Sequence, residues 1–156
     1  MAALSAVLLV RHAVALRRSE WPDDDTHRPL GDRGFRQAGA LVDLLSGYAV
    51  NRILSSPSVR CVQTVSPLAA ARGLAVETAT ALAEGDGAAA VRLVQSLDGG
   101  VVLCSHGDVI PEVLDSLGAG GQTGEGLRCK KGSIWVLVRR DPGGDLVADR
   151  YLPPPR

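Results

Sequence analysis

An arginine and a histidine stand side by side near the start of the chain, immediately after an apolar run. Residues 7–10 are all aliphatic, which predicts a buried strand, and Arg11 and His12 follow it directly. The planar fork of an arginine binds phosphate oxygens through paired hydrogen bonds, and a neutral imidazole is a nucleophile. A strand that simply reaches the surface would also end in polar residues. The pair therefore indicates phosphate chemistry only if further cationic groups lie beside it.

A second histidine and a further arginine occupy comparable positions later in the chain. Ser105 and His106 follow the apolar run VVLC, and Arg60 lies just inside the helix expected after the strand ILSS. In α/β sheets, ligands bind at the carboxyl ends of the parallel strands. Both histidines and both arginines are therefore expected at one edge of the sheet.

A site of this composition is suited to phosphoryl transfer. Positive charge from neighbouring arginines lowers the pKa of a histidine, which keeps the imidazole neutral near pH 7. Phosphoryl transfer otherwise requires positioning and neutralisation of charge, and arginines can provide both. No cluster in the sequence has the spacing of metal ligands. The expectation is an enzyme that needs no metal and no other cofactor.

The elements that must position these residues alternate between strands and helices along the chain. This order predicts an α/β domain with a mostly parallel central sheet. The expected unit is one domain over residues 1–156, with an irregular tail at 152–156. Strands are expected at residues 6–10, 52–55, 74–77, 101–104, 133–139 and 145–151, and helices at 34–45, 56–72, 87–97 and 108–117.

The composition argues against several classes of partner. The chain contains 17 basic and 17 acidic residues, so no general field attracts a nucleic acid polymer. No apolar run is long enough to span a membrane, and no positive charge precedes the apolar N-terminal stretch as it would in a signal peptide. Cys61, Cys104 and Cys129 form no CxxC pair, which argues against a disulfide framework. The expected location is the cytoplasm, and a monomer is favoured.

Three motifs in order along the chain resemble those of a known family. LLVRHA, SSPSVRCVQT and VVLCSHGD are similar to the histidine phosphatase superfamily, also called phosphoglycerate mutase-like, and within it to the SixA-type branch. The chain looks most similar to the histidine phosphatase domain that follows the Nudix domain in actinobacterial MutT-like proteins. The resemblance covers about residues 5–140 and implies a three-layer sandwich. No Nudix box is present, so the expectation is the phosphatase half alone.

The resemblance implies roles for particular residues. His12 would be the nucleophile that becomes phosphohistidine, while His106 and three arginines would hold the phosphoryl oxygens. The arginines are Arg11, Arg60 and Arg28, the last of which lies in the RPL motif. The family usually has glycine after the nucleophile, whereas this chain has Ala13, a mild departure that occurs within the branch.

The proton donor has two candidates. Family members often carry a glutamate in a pattern like LxE, which residues 82–84 match, so the resemblance favours Glu84. Asp86, two residues further on, is the alternative. A carboxyl group that faces a phosphate dianion is held protonated by like charge, which allows it to donate a proton to the leaving group.

The resemblance defines the type of reaction more sharply than it defines the substrate. Nucleotides or other small phosphoesters are expected, and a protein phosphohistidine, the SixA type of substrate, is the alternative. The candidate function that is not enzymatic is a sensor that binds a phosphorylated ligand without turning it over. The presence of both histidines and all three arginines favours the enzyme.

Other polar features are given structural explanations. The run Asp23, Asp24 and Asp25 is interpreted as a solvated loop, and His27 as a surface residue. Ser56 and Pro57 form a helix-start signal, with Ser56 as the N-cap. Arg17 and Arg18 either widen the basic rim to grip a longer polyphosphate or are merely exposed. Further assignments are Gln63 and Thr64 as supports of Arg60, Cys61, Cys104 and Trp135 as packing residues, and residues 118–126 as a flexible connection.

Overall fold

The first strand explains why the chain folds into layers. A computed structural model describes residues 5–85, 87–118 and 128–156. Strand β1 (Val7–Arg11) is buried along almost its whole length. Val7 and Leu9 face one hydrophobic cluster, whereas Leu8 and Val10 face another. Because successive side chains of a strand point to opposite faces, a continuous apolar run requires cover on both sides of the sheet.

The sheet contains six strands in the order β3-β2-β4-β1-β5-β6. The other strands are β2 (Arg52–Ser55), β3 (Val76–Thr78), β4 (Val101–Ser105), β5 (Ile134–Arg139) and β6 (Leu146–Leu152). Pairing is parallel among the first four strands of this order, and β5 and β6 add two antiparallel pairs. The carboxyl ends of four parallel strands therefore meet at one edge.

Four helices cover the two faces. Helix α1 (Asp32–Leu44) packs beside α2 (Val59–Arg72), and α3 (Gly87–Gln95) packs beside α4 (Val109–Ser116). Leu41 of α1 and Leu68 of α2 belong to the cluster of Leu8, whereas Ile110 of α4 belongs to that of Leu9. The result is a three-layer α/β sandwich. No helix in the described part of the chain is long and apolar enough to cross a membrane.

The fold class predicted from the sequence is confirmed, and several boundaries are corrected. Helix α2 begins at Val59 with Ser58 as its N-cap, so the prediction of Ser56 as the cap was wrong. It ends at Gly73, as predicted, where a φ of 66° suits glycine. Leu152 still belongs to β6, so the irregular tail begins one residue later than expected. The predicted flexible connection at residues 118–126 lies, apart from Gly118, outside the described residues.

Candidate active site

Strand register brings the two histidines to the same place. Arg11 pairs with Ser105 across β1 and β4, so His12 and His106 are each the first residue beyond paired strand ends. Ser55 of β2 pairs with Cys104 on the other side of β4, which places Ser56 at the same edge. The two imidazole rings lie 5.5 Å apart between centroids and meet edge to face.

A cleft of about 790 Å³ opens at this edge of the sheet. The structure brings together all six predicted site residues that it describes, because each of them lines this cleft. Asp86, the alternative proton donor, lies outside the described residues. The predicted residues in the lining are Arg11, His12, Arg28, Arg60, Glu84 and His106, and the others are Val14, Ala15, Leu16, Arg17, Arg18, Gly107, Asp108 and Lys131.

The imidazole of His12 is held in one tautomer and kept neutral. Its Nδ1 lies 2.8 Å from the carbonyl oxygen of Ala13. A carbonyl only accepts, so Nδ1 carries the proton and Nε2 keeps the lone pair. Burial is the largest cause that lowers the pKa of His12 to about 3; the hydrogen bond to Ala13 opposes it, and the charge of Arg60 adds to it. The direction agrees with the expectation from the sequence, although burial outweighs the neighbouring charge.

The loop that follows His12 is fixed by polar side chains from two helices. The backbone amide of Ala13 donates to Thr64 Oγ1 at 2.9 Å, and the amide of Val14 donates to Gln37 Oε1 at 3.0 Å. Thr64 Oγ1 also donates to the carbonyl oxygen of Arg60 at 2.6 Å, so one hydroxyl joins the nucleophile's loop to the arginine's helix. A Cβ atom at Gly34 would lie 1.9 Å from the Val14 oxygen, so α1 can approach this loop only with glycine there.

Arg11 lies flat against a glycine and points across the cleft. A Cβ atom at Gly107 would lie 2.7 Å from Arg11 Cζ, so any larger residue would displace the guanidinium. Arg11 Nη1 donates to the carbonyl oxygen of Cys129 at 2.5 Å. Within the described residues the Arg11 guanidinium forms no ion pair. Its charge is therefore available to an anionic ligand.

The carboxylate of Asp25 contacts both Arg28 and Arg60, although the sequence interpretation assigned it to a solvated loop. Arg28 Nε donates to Asp25 Oδ1 at 2.9 Å, and Arg60 Nη2 lies 3.3 Å from Asp25 Oδ2. The hydrogen bond from Arg28 is the main cause that lowers the pKa of Asp25, and the charge of Arg60 lowers it further. Asp25 remains 41% exposed, as a solvated run requires, but the sequence interpretation missed its contacts with Arg28 and Arg60. Arg28 also donates to the Leu16 carbonyl at 2.6 Å, so its side chain is ordered and only 9% exposed.

Glu84 reaches the same site from the turn after β3. Its Oε1 pairs with Arg60 Nη2 and lies 3.1 Å from His106 Nδ1. The turn is held by the end of β4 and the start of α4, since Ser105 Oγ donates to the Leu82 carbonyl at 2.6 Å and the Gly85 amide donates to Asp108 Oδ2 at 2.9 Å. The carboxyl group is 45% exposed, so it sits at the mouth of the cleft rather than within the core.

Three residues that line the cleft carry buried nitrogen atoms without a hydrogen-bond partner. Among the described residues, the buried side-chain nitrogen and oxygen atoms without a hydrogen-bond partner are Nε of Arg11, Nε of Arg60 and Nδ1 of His106. Glu84 lies near the last of these, but not in line with the ring N–H, so it makes no hydrogen bond there. Buried donors without acceptors are rare in folded proteins. The three residues that carry these atoms all line the cleft.

Comparison with known proteins agrees with this geometry. A sequence model described as "Histidine phosphatase superfamily (branch 1)" matches residues 7–90. An 8-oxo-(d)GTP phosphatase of Mycolicibacterium smegmatis is 38% identical over 157 residues, which cover 96% of this chain and 48% of that protein. The chain belongs to the histidine phosphatase superfamily. It spans about half the length of this curated relative.

Solved structures share the fold of this chain. The SixA protein of Agrobacterium tumefaciens superposes with a TM-score of 0.76 at 23% identity, covering 97% of this chain and 99% of that one. A SixA protein histidine phosphatase complexed with tungstate gives a TM-score of 0.76 at 21% identity, covering 94% and 96%. Membership of the family and the phosphoglycerate mutase-like fold, both expected from the sequence motifs, are thus confirmed.

Sequence reasoning missed the roles of four residues at the candidate site. Asp25 and Lys131 come from loops whose distance from the strand ends cannot be read from local patterns. Ser56 was assigned to a helix cap, although its Oγ lies 2.8 Å from His106 Nε2. Cys61, interpreted as packing alone, also approaches that nitrogen, with its Sγ 3.5 Å away. Within the described part of the chain, no group of three or more His, Cys, Asp or Glu residues is arranged to hold a metal ion.

Proposed function

We propose that this chain is a phosphohydrolase that works through a phosphohistidine on His12. The observation that carries the proposal is a neutral, buried imidazole whose Nδ1 is bonded to the Ala13 carbonyl. Its Nε2 is thereby left as the nucleophilic atom, in a cleft that is also lined by Arg11, Arg28 and Arg60. A nucleophile poised among arginines suits attack on a phosphorus atom that carries negatively charged oxygens.

In the first step, His12 Nε2 attacks phosphorus while the bond to the leaving oxygen breaks. Arg11, Arg60, Arg28 and His106 bind the phosphoryl oxygens and neutralise the charge that spreads over them. Phosphate oxygens compete with Glu84 for Arg60, which frees the carboxyl group to turn towards the leaving oxygen. Glu84 gives that oxygen its proton, and the alcohol departs with the electron pair of the broken bond.

In the second step, water hydrolyses the phosphohistidine. Glu84, now ionised, accepts a proton from the water as its oxygen attacks phosphorus. The P–N bond breaks, its electron pair returns to His12 Nε2, and inorganic phosphate leaves. The two steps use one carboxyl group first as acid and then as base, and the arginines supply the positive charge throughout.

Nucleotides or other small phosphoesters are the proposed substrates. The relative that is 38% identical is named for its action on 8-oxo-(d)GTP, which favours a nucleotide. The cleft volume of about 790 Å³ lies within the range that accommodates small organic ligands.

A protein phosphohistidine is the second candidate substrate. The observation in its favour is the exposure of the cleft mouth, where the side chains of Arg17 and Arg18 are 86% and 77% exposed. A mouth of this kind leaves room for the surface of a partner protein to approach His12.

Trapping of the intermediate tests the proposal. The protein is mixed with a labelled phosphate donor, such as p-nitrophenyl phosphate or a nucleotide, and quenched in alkali, where phosphohistidine survives. We expect acid-labile label on the wild type and none on His12→Ala. His27→Ala is the matched control, because His27 is an exposed loop histidine and should leave the labelling intact. Phosphate release by His12→Ala at the wild-type rate would overturn the proposal, and tight phosphate binding without labelling or release by the wild type would favour a sensor.

A further inference from the structure

Three cationic side chains surround the phosphoryl site without a role in the mechanism above. Arg17 and Arg18 come from the loop after β1, and Lys131 comes from the segment before β5. All three line the same cleft as His12, Arg11 and Arg60. We call Arg17, Arg18 and Lys131 the cationic rim.

The rim makes the cleft far more positive than the chain as a whole. Basic and acidic residues are equal in number over the full sequence. The described cleft lining instead contains six cationic side chains against two carboxylates, Glu84 and Asp108. Charge so concentrated in a concave surface attracts and retains polyanions.

Two of the inner arginines, Arg28 and Arg60, are partly neutralised by close carboxylates, whereas the rim is paired only at longer range and in exposed positions. Asp25 contacts both Arg28 and Arg60, and Glu84 contacts Arg60. On the rim, Arg18 Nε lies 3.7 Å from Asp25 and Arg17 Nε lies 3.9 Å from Glu20, in exposed pairs that contribute little.

Lys131 has no neutralising partner at all in the described part of the chain. It takes part in none of the ion pairs among those residues. Partial desolvation is the main cause that lowers the pKa of its ammonium group, and the positive charges of Arg11 and Arg28 lower it further. The electrostatic repulsion among these cations is reduced when an anion enters the cleft.

One phosphoryl group does not use these charges. Its oxygens are bound by Arg11, Arg28, Arg60 and His106, so the rim remains for an anionic group next to the one that is transferred. A second phosphate, joined to the transferred one through a bridging oxygen, supplies such an anionic group. An uncharged alcohol or a sugar does not.

We propose that the cationic rim binds the phosphate adjacent to the transferred one, so that the preferred substrates are phosphoanhydrides, such as nucleoside di- or triphosphates. The inference rests on the function proposed above and narrows its substrate class. His12 Nε2 attacks the terminal phosphorus, and the bond from that phosphorus to the bridging oxygen breaks. The shortened polyphosphate leaves with the electron pair as an anion held by the rim, and water then releases phosphate from His12.

The leaving group explains why a rim of cations is useful in this reaction. A phosphate leaving group has a second pKa of about 6, so it departs as an anion and gains from positive charge more than from a proton. The rim therefore stabilises the departing charge as well as the bound substrate.

Substrate selectivity is the experimental test. Guanosine tri-, di- and monophosphate share one nucleoside and differ only in the adjacent phosphates, and p-nitrophenyl phosphate serves as a substrate without a nucleoside. The test variant is Arg17→Ala/Arg18→Ala/Lys131→Ala. The matched control is Arg33→Ala/Arg36→Ala/Lys130→Ala, which removes the same charge from exposed positions that do not line the cleft.

We expect the rim variant to lose roughly 10- to 100-fold in kcat/KM for the tri- and diphosphate beyond any loss for the monophosphate, with a rise in KM from weaker binding and a fall in kcat from the poorer leaving group. The control should keep the wild-type ratio between triphosphate and monophosphate. An equal loss for all three nucleotides, or the same change of ratio in the control, would overturn the inference. So would a rim variant that is impaired only towards a phosphohistidine protein.

The two levels of the proposal fail in different ways. If p-nitrophenyl phosphate labels His12 in the wild type but the rim variant keeps its nucleotide selectivity, only the rim assignment is wrong. If no substrate labels His12, the proposed function is wrong and the rim assignment falls with it.

Discussion

Ser56 Oγ lies 2.8 Å from Nε2 of His106, in a part of the site where both residues are almost completely buried. The same hydroxyl oxygen accepts the backbone N–H of Ser58 at 3.3 Å. We infer that the hydroxyl donates its own proton to Nε2 of His106, which places the ring proton on Nδ1. This arrangement aims an N–H group at the cleft, where phosphoryl oxygens are expected.

Replacement of Ser56 by alanine should remove the hydrogen bond that favours this tautomer of His106. We expect kcat/KM of Ser56→Ala to fall by about three- to tenfold, because one neutral hydrogen bond is worth roughly 0.5–1.5 kcal/mol. Nitrogen NMR of labelled His106 should show less of the Nδ1–H form. Ser55→Ala removes a neighbouring buried hydroxyl that bonds only to the Ser56 carbonyl, so it is the matched control. An unchanged His106 spectrum in Ser56→Ala would contradict the positioning role.

The depressed pKa of His12 predicts a dependence of stability on pH. In the folded protein its pKa is about 3, against 6.5 for an unperturbed histidine. The unfolded chain therefore binds more protons between these values, so the contribution to stability is complete above pH 6.5 and is lost as the pH falls towards 3. Between pH 7.5 and pH 5 the loss should be about 2 kcal/mol.

Urea unfolding at the two pH values measures this contribution. The difference in unfolding free energy between pH 7.5 and pH 5 should shrink in His12→Gln, which cannot be protonated. His27→Gln should keep the wild-type difference, because His27 is exposed. Equal pH dependence in all three proteins would show that His12 is not buried as a neutral ring.

Much of the fold follows from the sequence because its strands are strongly patterned. Strands that are covered on both faces must be continuous apolar runs, and the runs ending at Val10 and Cys104 are bounded by polar residues. The rule that sites lie at the carboxyl ends of parallel strands then places Arg11, His12 and His106 together without knowledge of the strand order.

The residues that escaped prediction owe their positions to contacts distant in sequence. Asp25 looks like a solvated carboxylate because its partner Arg60 is 35 residues away on α2. Ser56 carries the same local pattern as a helix cap, and only the pairing of β2 with β4 brings it to His106. Local sequence contains no signal for either relationship.

Arg28 provides a prediction that combines activity and stability. Its guanidinium lines the cleft and bonds to Asp25 and to the Leu16 carbonyl. Arg28→Ala should lower kcat/KM about 10- to 100-fold, since a hydrogen bond to a charged group is worth roughly 1.5–3 kcal/mol. Because the side chain is buried and bonded, the melting temperature should fall as well.

The conservative variant separates the two effects of Arg28. Lysine keeps the charge but cannot form the paired hydrogen bonds of a guanidinium. Arg28→Lys should therefore recover part of the phosphate affinity and leave kcat/KM between those of the wild type and Arg28→Ala. Wild-type kcat/KM in Arg28→Ala would show that Arg28 only anchors the loop through Asp25.

Chelation tests the role assigned to the arginines. If their positive charge replaces that of a metal ion in the transition state, exhaustive dialysis against EDTA should leave kcat and KM unchanged within error. The assay should then be repeated with added Mg²⁺, Mn²⁺ or Zn²⁺, with no gain expected. Activity that is lost on chelation and restored by one of these ions would refute the arginine mechanism.

The role proposed for Glu84 as proton donor predicts an effect that depends on the leaving group. The carboxyl group sits beside Arg60 and 3.1 Å from His106 Nδ1, at the mouth of the cleft. A general acid contributes about 10²- to 10⁴-fold when the leaving group is a poor one. Glu84→Gln should therefore lose a factor of this size with an alkyl phosphate such as glycerol phosphate. The loss should be much smaller with p-nitrophenyl phosphate, whose leaving group is stable as an anion.

Rates for a series of aryl and alkyl phosphates give the decisive measurement. The logarithm of the phosphorylation rate, plotted against leaving-group pKa, should fall more steeply in Glu84→Gln than in the wild type, because only the wild type protonates the departing oxygen. Glu77→Gln is the control, since Glu77 is an exposed carboxylate that is paired with Arg52 and does not line the cleft. Parallel slopes in Glu84→Gln and the wild type would remove Glu84 as the proton donor. The same series on Asp86→Asn would then show whether that carboxyl group is the acid instead.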